Sequence, residues 1–294
     1  MKIAFTKMHG AGNDYLFLDG MHTQPKDPAY LARLLSPRHT AVGADGLVVI
    51  CPSDCADARM RMFNRDGSEG EMCGNAIRCV GKYLYEHHFV HTAALTVETN
   101  SGIKRLTLQF AGETVRSVAV EMGKAVFTPK ALPTTLSAPD FSDAAQPGVW
   151  LSCGTQPIRV TPVSVGNPHA VVYADAPAEM DLAVLGREIE THPAFPDRVN
   201  AEFVRVISPT RLTMRVWERG SGETYACGTG ACAVTAASVA YGYCPFETPV
   251  TVEMPGGDVT VTVRRDFGLT LCGEAVTVYE GVCEVPAEGK EEVV

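Results

Sequence analysis

The feature that most constrains this chain is an internal repeat at a constant offset of 154 residues. At that offset, residues 60–80 and 214–234 are identical at 7 of 21 positions, and Cys73 meets Cys227. Typical residue frequencies would produce about one or two such matches by chance. The match therefore indicates that the two segments have a common origin and a common local structure.

A second, distant pair of segments agrees with this register. Gly12-Asn13 aligns with Gly166-Asn167, and an apolar stretch of strand length follows each pair. One register across much of the chain, without a short period of the solenoid kind, predicts a duplicated domain. We expect the two halves to be related by a pseudo-two-fold axis.

Length and composition agree with two globular domains. A chain of 294 residues favours two domains of about 140 to 150 residues, and its 46% hydrophobic and 20% charged residues are ordinary globular usage. The longest apolar runs are strand-sized, far short of the roughly 18 residues of a membrane span. The net charge of −9 predicts neither a nucleic acid nor a membrane partner.

The N-terminus and the cysteines predict a cytoplasmic protein without a metal. His9, Asn13 and Asp14 interrupt the first residues before the hydrophobic core of a signal peptide can form. The ten cysteines would stay reduced in the cytosol, so most should be core residues and a few reactive. None forms a Cys-x-x-Cys pair, and we therefore expect no structural zinc and no other metal site.

Most of the chain shows the alternation of apolar and polar residues that is typical of β-strands, and few segments have a helical pattern. The clearest helices are predicted at residues 74–88 and 228–241, each beginning directly after a repeated cysteine. The second has almost no polar face, which predicts a buried helix wrapped by sheet, with Gly242 as its stop.

A Pro-rich segment and the acidic C-terminal residues predict the domain limits. The Pro-rich residues 128–147 lack a clear pattern and would surround the domain junction, while residues 284–294 are typical of an acidic tail. We therefore predict one domain of residues 1–127, joined by a C-terminal strand at residues 274–286, and a second domain of residues 128–273.

The two repeated cysteines are candidates for acid–base chemistry. A cysteine at the first turn of a helix meets unpaired backbone N–H groups and the positive end of the helix dipole, which lower its pKa. Duplicated domains that face each other would aim Cys73 and Cys227 at a substrate from opposite sides. One thiolate could then remove an α-proton while the opposing thiol delivers a proton to the other face, as a racemase requires. A single cysteine here would more simply be a small buried residue before a turn, but the duplication favours catalysis.

The residues around the cysteines suit an amino-acid substrate. Backbone N–H groups at the two helix starts could stabilise a carboxylate as its α-carbon gains negative charge. These N–H groups belong to Gly74, Asn75, Gly228 and Thr229. Shortly before the second cysteine, Glu218 offers an anion and Arg219 a two-pronged donor, which fit a distal ammonium and carboxylate. The alternative for this Glu-Arg pair is the solvated end of a strand.

Six motifs spread over essentially the whole chain together resemble the diaminopimelate epimerase family. They occur in the family's order: Gly10-Ala-Gly-Asn13-Asp14, Asn64-Arg-Asp-Gly-Ser-Glu69, Met72-Cys73-Gly74-Asn75-Ala-Ile-Arg78, Gly166-Asn167-Pro-His169, Val199-Asn200-Ala-Glu-Phe203, and Glu218-Arg219-Gly-x-Gly222-Glu-Thr224 leading to Ala226-Cys227-Gly228-Thr229-Gly230. The resemblance implies an α/β (α+β) fold of two pseudo-symmetric domains, each a mostly antiparallel sheet wrapped around a central helix.

The same resemblance implies an activity. Members interconvert LL- and meso-2,6-diaminoheptanedioate for lysine and peptidoglycan biosynthesis, without pyridoxal phosphate or another cofactor, and usually as a homodimer. By resemblance, Cys73 and Cys227 are the acid–base pair, and His169 and Glu218 tune the pKa of the thiols. The side chains implied to contact the substrate are those of Asn13, Asn64, Asn167, Asn200, Glu218 and Arg219. Some members carry a contacting Gln at the position of Gly46, where this chain has no side chain.

Two rival interpretations remain at this point. The first is another two-thiol enzyme without a cofactor, such as a racemase of proline, hydroxyproline or histidine. The second is a ligand-binding relative that has lost catalysis, against which the presence of both cysteines argues. Glu218 and Arg219 favour a substrate with a distal amino acid group, which proline lacks.

Overall fold

The computed structural model describes residues 1–154 and 156–286. Eighteen strands lie within these residues, in chain order β1 Lys2–Gly10, β2 Asn13–Asp19, β3 Gly46–Cys51, β4 Ala58–Asn64, β5 Glu69–Gly70, β6 Ala94–Thr99, β7 Gly102–Ala111, β8 Thr114–Lys124, β9 Val149–Cys153, β10 Gln156–Ser164, β11 Pro168–Tyr173, β12 Asn200–Ser208, β13 Arg211–Glu218, β14 Gly222–Thr224, β15 Val250–Glu253, β16 Val259–Val263, β17 Gly268–Glu274 and β18 Val276–Glu284. Four α-helices occur within the same limits: α1 Pro28–Leu35, α2 Gly74–Glu86, α3 Leu182–Glu190 and α4 Gly228–Ala240.

The chain divides into two compact units. The first contains Met1–Val118 together with the described residues from Ala275 onward, and the second contains Ala119–Glu274. The boundary between the two units lies within β8, directly after Val118. Strand β18 pairs with β1 of the first unit, and Lys2 lies opposite Glu284.

The first unit is a mostly antiparallel sheet around α2. Strand β1 is antiparallel to β2 and β18, β2 is parallel to β3, and β3 is antiparallel to β4. Strand β4 is antiparallel to β5 and parallel to β6, which is antiparallel to β7. Helix α2 packs against β1, β2, β6 and β7 because Ile77, Val80 and Leu84 form an apolar stripe at helical spacing, and all three are fully buried.

The second unit repeats this plan around α4. Its strand pairs β10–β11, β11–β12, β12–β13, β13–β14 and β13–β15 have the same directions as β1–β2, β2–β3, β3–β4, β4–β5 and β4–β6. Helix α4 packs against seven strands of its unit. Its small residues let the strands approach on every side, and its buried hydroxyls find partners: Thr235 Oγ1 donates to the Ala231 carbonyl over 2.8 Å, and Ser238 Oγ lies 3.1 Å from Tyr173 Oη.

The predicted duplication and fold class are confirmed at the level of whole elements. Helices α1 and α3, which the sequence analysis missed, begin after Asp27 and Asp181, and these caps are 154 residues apart. Each aspartate accepts a hydrogen bond from a first-turn backbone N–H, which stabilises a short amphipathic helix. The sequence pattern missed them because each spans only about two turns.

Element ends differ slightly from the predictions. The first predicted helix ends at Glu86 rather than at residue 88, because His88 adopts a positive φ of 62° that a helix cannot continue. Helix α4 ends at Ala240, and Gly242 with φ 76° follows its cap, as predicted. Glu284 belongs to β18 and Val285 is buried, so the predicted acidic tail does not begin there, and its residues from 287 lie outside the described residues.

No helix among residues 1–154 and 156–286 is long and apolar enough to cross a membrane.

Candidate active site

Cys73 is the N-cap of α2. Its backbone is extended, with φ −125° and ψ 121°, and its Sγ accepts a hydrogen bond from the Ala76 backbone N–H over 3.5 Å. The extended conformation turns the sulfur toward the unpaired N–H groups of the first helical turn. Gly74 is buried at the first position of the helix, where the absence of a side chain lets a ligand approach the backbone.

Asn13, at the start of β2, lies directly beside Cys73. Its Oδ1 accepts from Cys73 Sγ over 3.2 Å and from Asn75 Nδ2 over 3.5 Å. Its Nδ2 donates to Asp45 Oδ2 over 2.8 Å, which fixes the orientation of the amide. Asn75 is buried, and its Oδ1 also accepts a hydrogen bond from Arg78 Nη2 over 3.0 Å. Its side chain is therefore bonded inside the unit, whereas its backbone N–H is one of the N–H groups of the first helical turn.

An ionic network that the sequence analysis did not predict supports Asn13; its Lys7 and Asp14 are buried, whereas Arg38 is exposed. The Asp14 carboxylate pairs with Lys7 Nζ at 2.5 Å and with Arg38 Nη2 at 2.6 Å, and Arg38 also reaches Asp45 Oδ1 at 2.7 Å. Burial alone would raise the pKa of Asp14, but the hydrogen bonds and charges of Arg38 and Lys7 hold it below its ordinary value. The network thereby holds Asp45 in place to bind the Asn13 amide.

Tyr15 is a second neighbour of Cys73 that the sequence analysis missed. The residue is only 6% exposed, and burial together with the nearby Cys73 and Asp45 charges raises the pKa of its phenol well above the ordinary value. Gly46, opposite Tyr15 in the β2–β3 pair, makes room for the ring: a Cβ there would lie 2.8 Å from Tyr15 Cε1 and 2.2 Å from the Phe63 carbonyl oxygen. The missing side chain at residue 46 is therefore a packing requirement in this chain.

Asn64 ends β4 and has an exposed side chain. Its Nδ2 donates to Ser68 Oγ over 3.0 Å, and its backbone N–H donates to the Ser68 carbonyl over 2.8 Å. These bonds hold the turn that leads through β5 to Cys73.

Cys227 is the N-cap of α4 with nearly the same geometry as Cys73. Its φ is −125° and its ψ 112°, and its Sγ accepts from the Gly230 N–H over 3.4 Å and lies 3.4 Å from Thr229 Oγ1. Gly228 is buried at the first helical position. The two cysteines thus have nearly the same local backbone conformation at the starts of equivalent helices.

The electrostatic surroundings of Cys227 correct one expectation from the sequence. Burial, followed by the charges of Glu218 and Glu202, raises the pKa of the Cys227 thiol well above its ordinary value, and the hydrogen bonds from Thr229 and Gly230 oppose this only partly. The expected lowering of the pKa by the helix N-terminus is wrong for this cysteine, because the residue is only 6% exposed and faces carboxylates. Cys227 rests as a thiol.

Glu218, at the end of β13, lies against Cys227. Burial and the Glu202 charge raise the pKa of Glu218, while hydrogen bonds from Thr224 and Cys227 and the His169 charge oppose the rise. Thr224 Oγ1 donates to Glu218 Oε1 over 2.5 Å. These contacts direct the Glu218 carboxyl group toward the Cys227 thiol. They disfavour the free Glu218 carboxylate, which the sequence analysis expected to bind a distal ammonium of the substrate.

His169 and Glu202 form a fully buried pair in the same unit. His169 Nδ1 lies 2.6 Å from Glu202 Oε1, and both side chains are 0% exposed. His169 Nε2 lies 2.9 Å from Asn167 Oδ1. The Nδ2 of the same asparagine donates to Thr229 Oγ1 over 3.3 Å. The sequence analysis quoted the segment around Glu202 without assigning this residue a role. A glutamate between the apolar residues Ala201 and Phe203 of β12 was the available signal.

Asn200 and Arg219 are linked at the end of β13. Asn200 is buried, and its Nδ2 donates to the Pro168 carbonyl over 2.9 Å while its Oδ1 accepts from the Arg219 backbone N–H over 2.9 Å. The Arg219 side chain is exposed, with Nη1 donating to the Asp197 carbonyl over 3.2 Å. Asn200 thus positions the backbone of Arg219, and the guanidinium retains further donors.

These features define a class of protein: two α+β units of one topology, each with a cysteine that caps its central helix. Solved structures of this fold cover nearly the whole chain. They include a probable proline racemase from Agrobacterium radiobacter (18% identity, TM-score 0.69, 99% of this chain and 94% of that chain) and a phenazine biosynthesis protein of the PhzF family from Bacillus anthracis (18% identity, TM-score 0.68, 97% and 100%). At these identities the likeness concerns the fold alone.

Sequence comparison specifies the family. The family model for diaminopimelate epimerase matches residues 5–128 and 161–281. Diaminopimelate epimerases from Desulfovibrio desulfuricans (46% identity, 95% of this chain and 97% of the relative), Methanococcus maripaludis (43%, 96% and 99%) and Bacillus pumilus (43%, 94% and 97%) are similar over nearly their full lengths. The chain belongs to the diaminopimelate epimerase family.

Proposed function

We propose that this chain is a diaminopimelate epimerase, which interconverts LL- and meso-2,6-diaminoheptanedioate for lysine and peptidoglycan biosynthesis without a cofactor. The observation that carries the proposal is the pair of cysteines that cap equivalent helices in a duplicated fold, within a chain of this family. An isomerase that inverts one α-carbon needs one group that takes the α-proton and another that returns a proton to the opposite face. Cys73 and Cys227 are the two groups we assign to these steps.

The different surroundings of the two cysteines support different resting roles. Cys227 rests as a thiol because burial and two carboxylates raise its pKa, and it is therefore the proton donor in the resting enzyme. Cys73 is half-buried, and its neighbours include the side-chain amide of Asn13 and the Tyr15 phenol. We assign Cys73 the role of the base that takes the first α-proton, after which the two cysteines have exchanged protonation states.

The helix starts are assigned to the carboxylate of the reacting centre. Removal of the α-proton places negative charge on the α-carbon and its carboxylate, which backbone N–H groups at a helix N-terminus stabilise. The assigned groups are the N–H groups of Gly74, Asn75, Gly228 and Thr229. Tuning of the thiols is assigned to Glu218, which contacts Cys227, and to His169, whose charge acts on Glu218.

The distal end of the substrate is assigned to Arg219 and to the asparagines. An exposed guanidinium can bind a carboxylate through two parallel hydrogen bonds. Asn64 has an exposed side chain, whereas Asn13, Asn167 and Asn200 hold neighbouring residues through the bonds described above. We propose substrate contacts for all four.

The test is solvent hydrogen exchange. Pure protein incubated with LL-diaminopimelate in deuterium oxide, without pyridoxal phosphate, should form the meso isomer with deuterium at one α-carbon. A parallel incubation with L-proline or L-histidine tests the rival racemase activities and should leave both amino acids unexchanged. Exchange of proline or histidine, with diaminopimelate unchanged, would overturn the proposal.

Three finer assignments belong to the same proposal. We propose a cytoplasmic location, a homodimer as the active assembly, and domains of residues 1–127 with 274–286 and of residues 128–273. Exposed apolar side chains on β18, at Val278, Tyr279 and Val282, support a surface that a second copy could cover. Sedimentation of the purified protein tests the dimer.

A further inference from the structure

The Tyr15 phenol and the Asn13 amide reach Cys73 from the same strand. Residues 13 and 15 of β2 are two positions apart, so their side chains lie on one face of that strand. Helix α2, which Cys73 caps, packs against β2. Cys73 Sγ donates to Asn13 Oδ1 over 3.2 Å, and the Tyr15 phenol is hydrogen-bonded to both Cys73 and Asn13. The two side chains of β2 and the sulfur therefore form one hydrogen-bonded cluster.

The two hydrogen bonds of the phenol run in opposite directions. The bond with Cys73 raises the pKa of Tyr15, which means that it stabilises the protonated phenol and that the phenol donates to the sulfur. The bond with Asn13 lowers the same pKa, so the phenol oxygen accepts from the amide. Burial is the largest cause of the raised pKa of Tyr15. The phenol therefore keeps its proton at neutral pH and has a hydrogen to donate to Cys73.

The Asn13 amide cannot replace this donor. Its Nδ2 donates to Asp45 Oδ2 over 2.8 Å, and Arg38 Nη2 donates to Asp45 Oδ1 over 2.7 Å, so this carboxylate acts as an acceptor on both sides. Asn13 consequently directs its oxygen, Oδ1, to the sulfur. An amide oxygen accepts the hydrogen of a thiol but has none to give to a thiolate. Of these two side chains, Tyr15 is the one that can stabilise a Cys73 thiolate.

We propose that the Tyr15 hydroxyl is the hydrogen-bond donor that stabilises the Cys73 thiolate, and that Gly46 leaves the room in which the ring reaches the sulfur. A Cβ at Gly46 would lie 2.8 Å from Tyr15 Cε1 and 3.2 Å from Cδ1, so a side chain there would displace the ring. The inference deepens the proposed function, on which it rests for the role of Cys73 as the base. The alternative is that the ring only fills space, in which case the hydroxyl has no effect on Cys73.

Asp45 and Arg78 bring charge to this cluster. Asp45, in the segment before β3, raises the pKa of Tyr15 through its charge. Arg78, fully buried on α2, donates to the backbone of the first helical turn over 3.0 Å. The residue opposite Tyr15 on β1 is the uncharged Met8. The substitution Tyr15→Phe leaves both charges in place, so its effect on Cys73 reports the hydroxyl.

Tyr15→Phe tests the proposal because it removes the hydroxyl and keeps the ring beside Gly46. Loss of a hydrogen bond to a thiolate should shift the pH midpoint of Cys73 alkylation by iodoacetamide, followed by peptide mass spectrometry, upward by about one unit, a roughly tenfold loss of thiolate at neutral pH. The matched control is Tyr83→Phe, which changes a tyrosine of α2 with the same 6% exposure and should leave the Cys73 midpoint unchanged. A midpoint that is unchanged or lower in Tyr15→Phe overturns the proposal.

Steady-state kinetics provide a second readout. With Cys73 as the base, the acid limb of the pH profile of kcat/KM should move upward together with the alkylation midpoint, so a roughly tenfold loss at neutral pH should recover at higher pH. Damage to packing would instead lower activity at every pH, and a loss of that kind overturns the proposal. Alkylation needs no substrate, so its outcome is independent of the deuterium exchange test of the proposed function.

A fluorinated tyrosine at residue 15 gives a test of opposite sign, which also serves if Tyr15→Phe does not fold. The fluorine of 3-fluorotyrosine makes the phenol more acidic and therefore a stronger hydrogen-bond donor, while burial still favours its protonated form. The Cys73 midpoint should then shift downward. An upward shift, or none, would overturn donation from the phenol to the sulfur.

Discussion

The Tyr15 phenol and the His169 imidazole occupy equivalent positions of the two units, 154 residues apart in the sequence. Tyr15 lies opposite Gly46 at the start of the β2–β3 pair, and His169 lies opposite Asn200 at the start of the β11–β12 pair. The duplication has kept the backbone around each cysteine and changed the groups that face it. Cys73 has a neutral phenol as its neighbour, whereas Cys227 has a buried ionic cluster.

Replacement of either capping cysteine should abolish epimerisation. In Cys73→Ser and Cys227→Ser the hydroxyl is too weakly acidic to replace a thiol, and loss of one general acid or base reduces turnover by about 100-fold or more. Formation of meso-diaminopimelate from the LL isomer, followed by chiral chromatography, measures the loss. The exposed Cys55→Ser is the control and should retain full activity. Activity of either mutant within about tenfold of the unmodified enzyme would contradict the assignment.

Arg219→Lys should lower kcat/KM for diaminopimelate by roughly 10- to 100-fold, because lysine keeps the charge but loses the two-pronged match to a carboxylate. Steady-state kinetics in both directions provide the measurement, and the exposed Arg205→Lys on β12 is the control. An unchanged kcat/KM in Arg219→Lys would show that another residue binds the distal carboxylate.

Glu218→Gln should lower the pKa of Cys227. Burial is the largest cause of the raised pKa and stays in the mutant, but the mutation removes the Glu218 charge, the next cause. The thiol would then ionise at a lower pH than in the unmodified protein. The pH dependence of Cys227 alkylation measures the change, and the exposed Glu223→Gln on β14 is the control. A midpoint that rises or stays constant would show that the carboxylate does not act on the sulfur.

Asp14→Asn should destabilise the fold in a pH-dependent way. The native pKa of Asp14 lies below its ordinary value of 3.8, so its ionic network stabilises the native state above that pH and is lost as the pH falls through the native pKa. At neutral pH we expect a loss of about 3 kcal/mol, since the buried Lys7 would keep its charge without its carboxylate partner, whereas Arg38 would still pair with Asp45. Urea unfolding at several pH values measures the difference, which should shrink toward pH 3. The exposed Asp258→Asn is the control, and a difference independent of pH would argue against the ionic contribution.

Much of the fold followed from local pattern. The repeat predicted two halves of one topology, and the all-apolar character of residues 228–241 predicted a helix enclosed by sheet. The short helices α1 and α3 were missed because about two turns of amphipathic sequence carry little periodic signal.

The site was predictable where motifs repeat and unpredictable where partners are distant in sequence. The cysteines and their helix starts were placed correctly from the constant offset. Tyr15, Asp45 and Glu202 were missed, because nothing near them in the sequence indicates a neighbour 32 to 58 positions away. The domain limits inferred from the Pro-rich residues stay a prediction.

The sequence by itself determined the duplication, the two capping cysteines and the family, because these are properties of residue order and spacing that any fold must preserve. Only the tertiary structure decided how each cysteine is charged and oriented. The helix N-terminus alone predicted a lowered pKa for Cys227, but burial and the carboxylates of Glu218 and Glu202 raise it. Desolvation and Coulomb energy depend on distances that arise when β11, β12, β13 and α4 pack together, and residue spacing does not contain those distances.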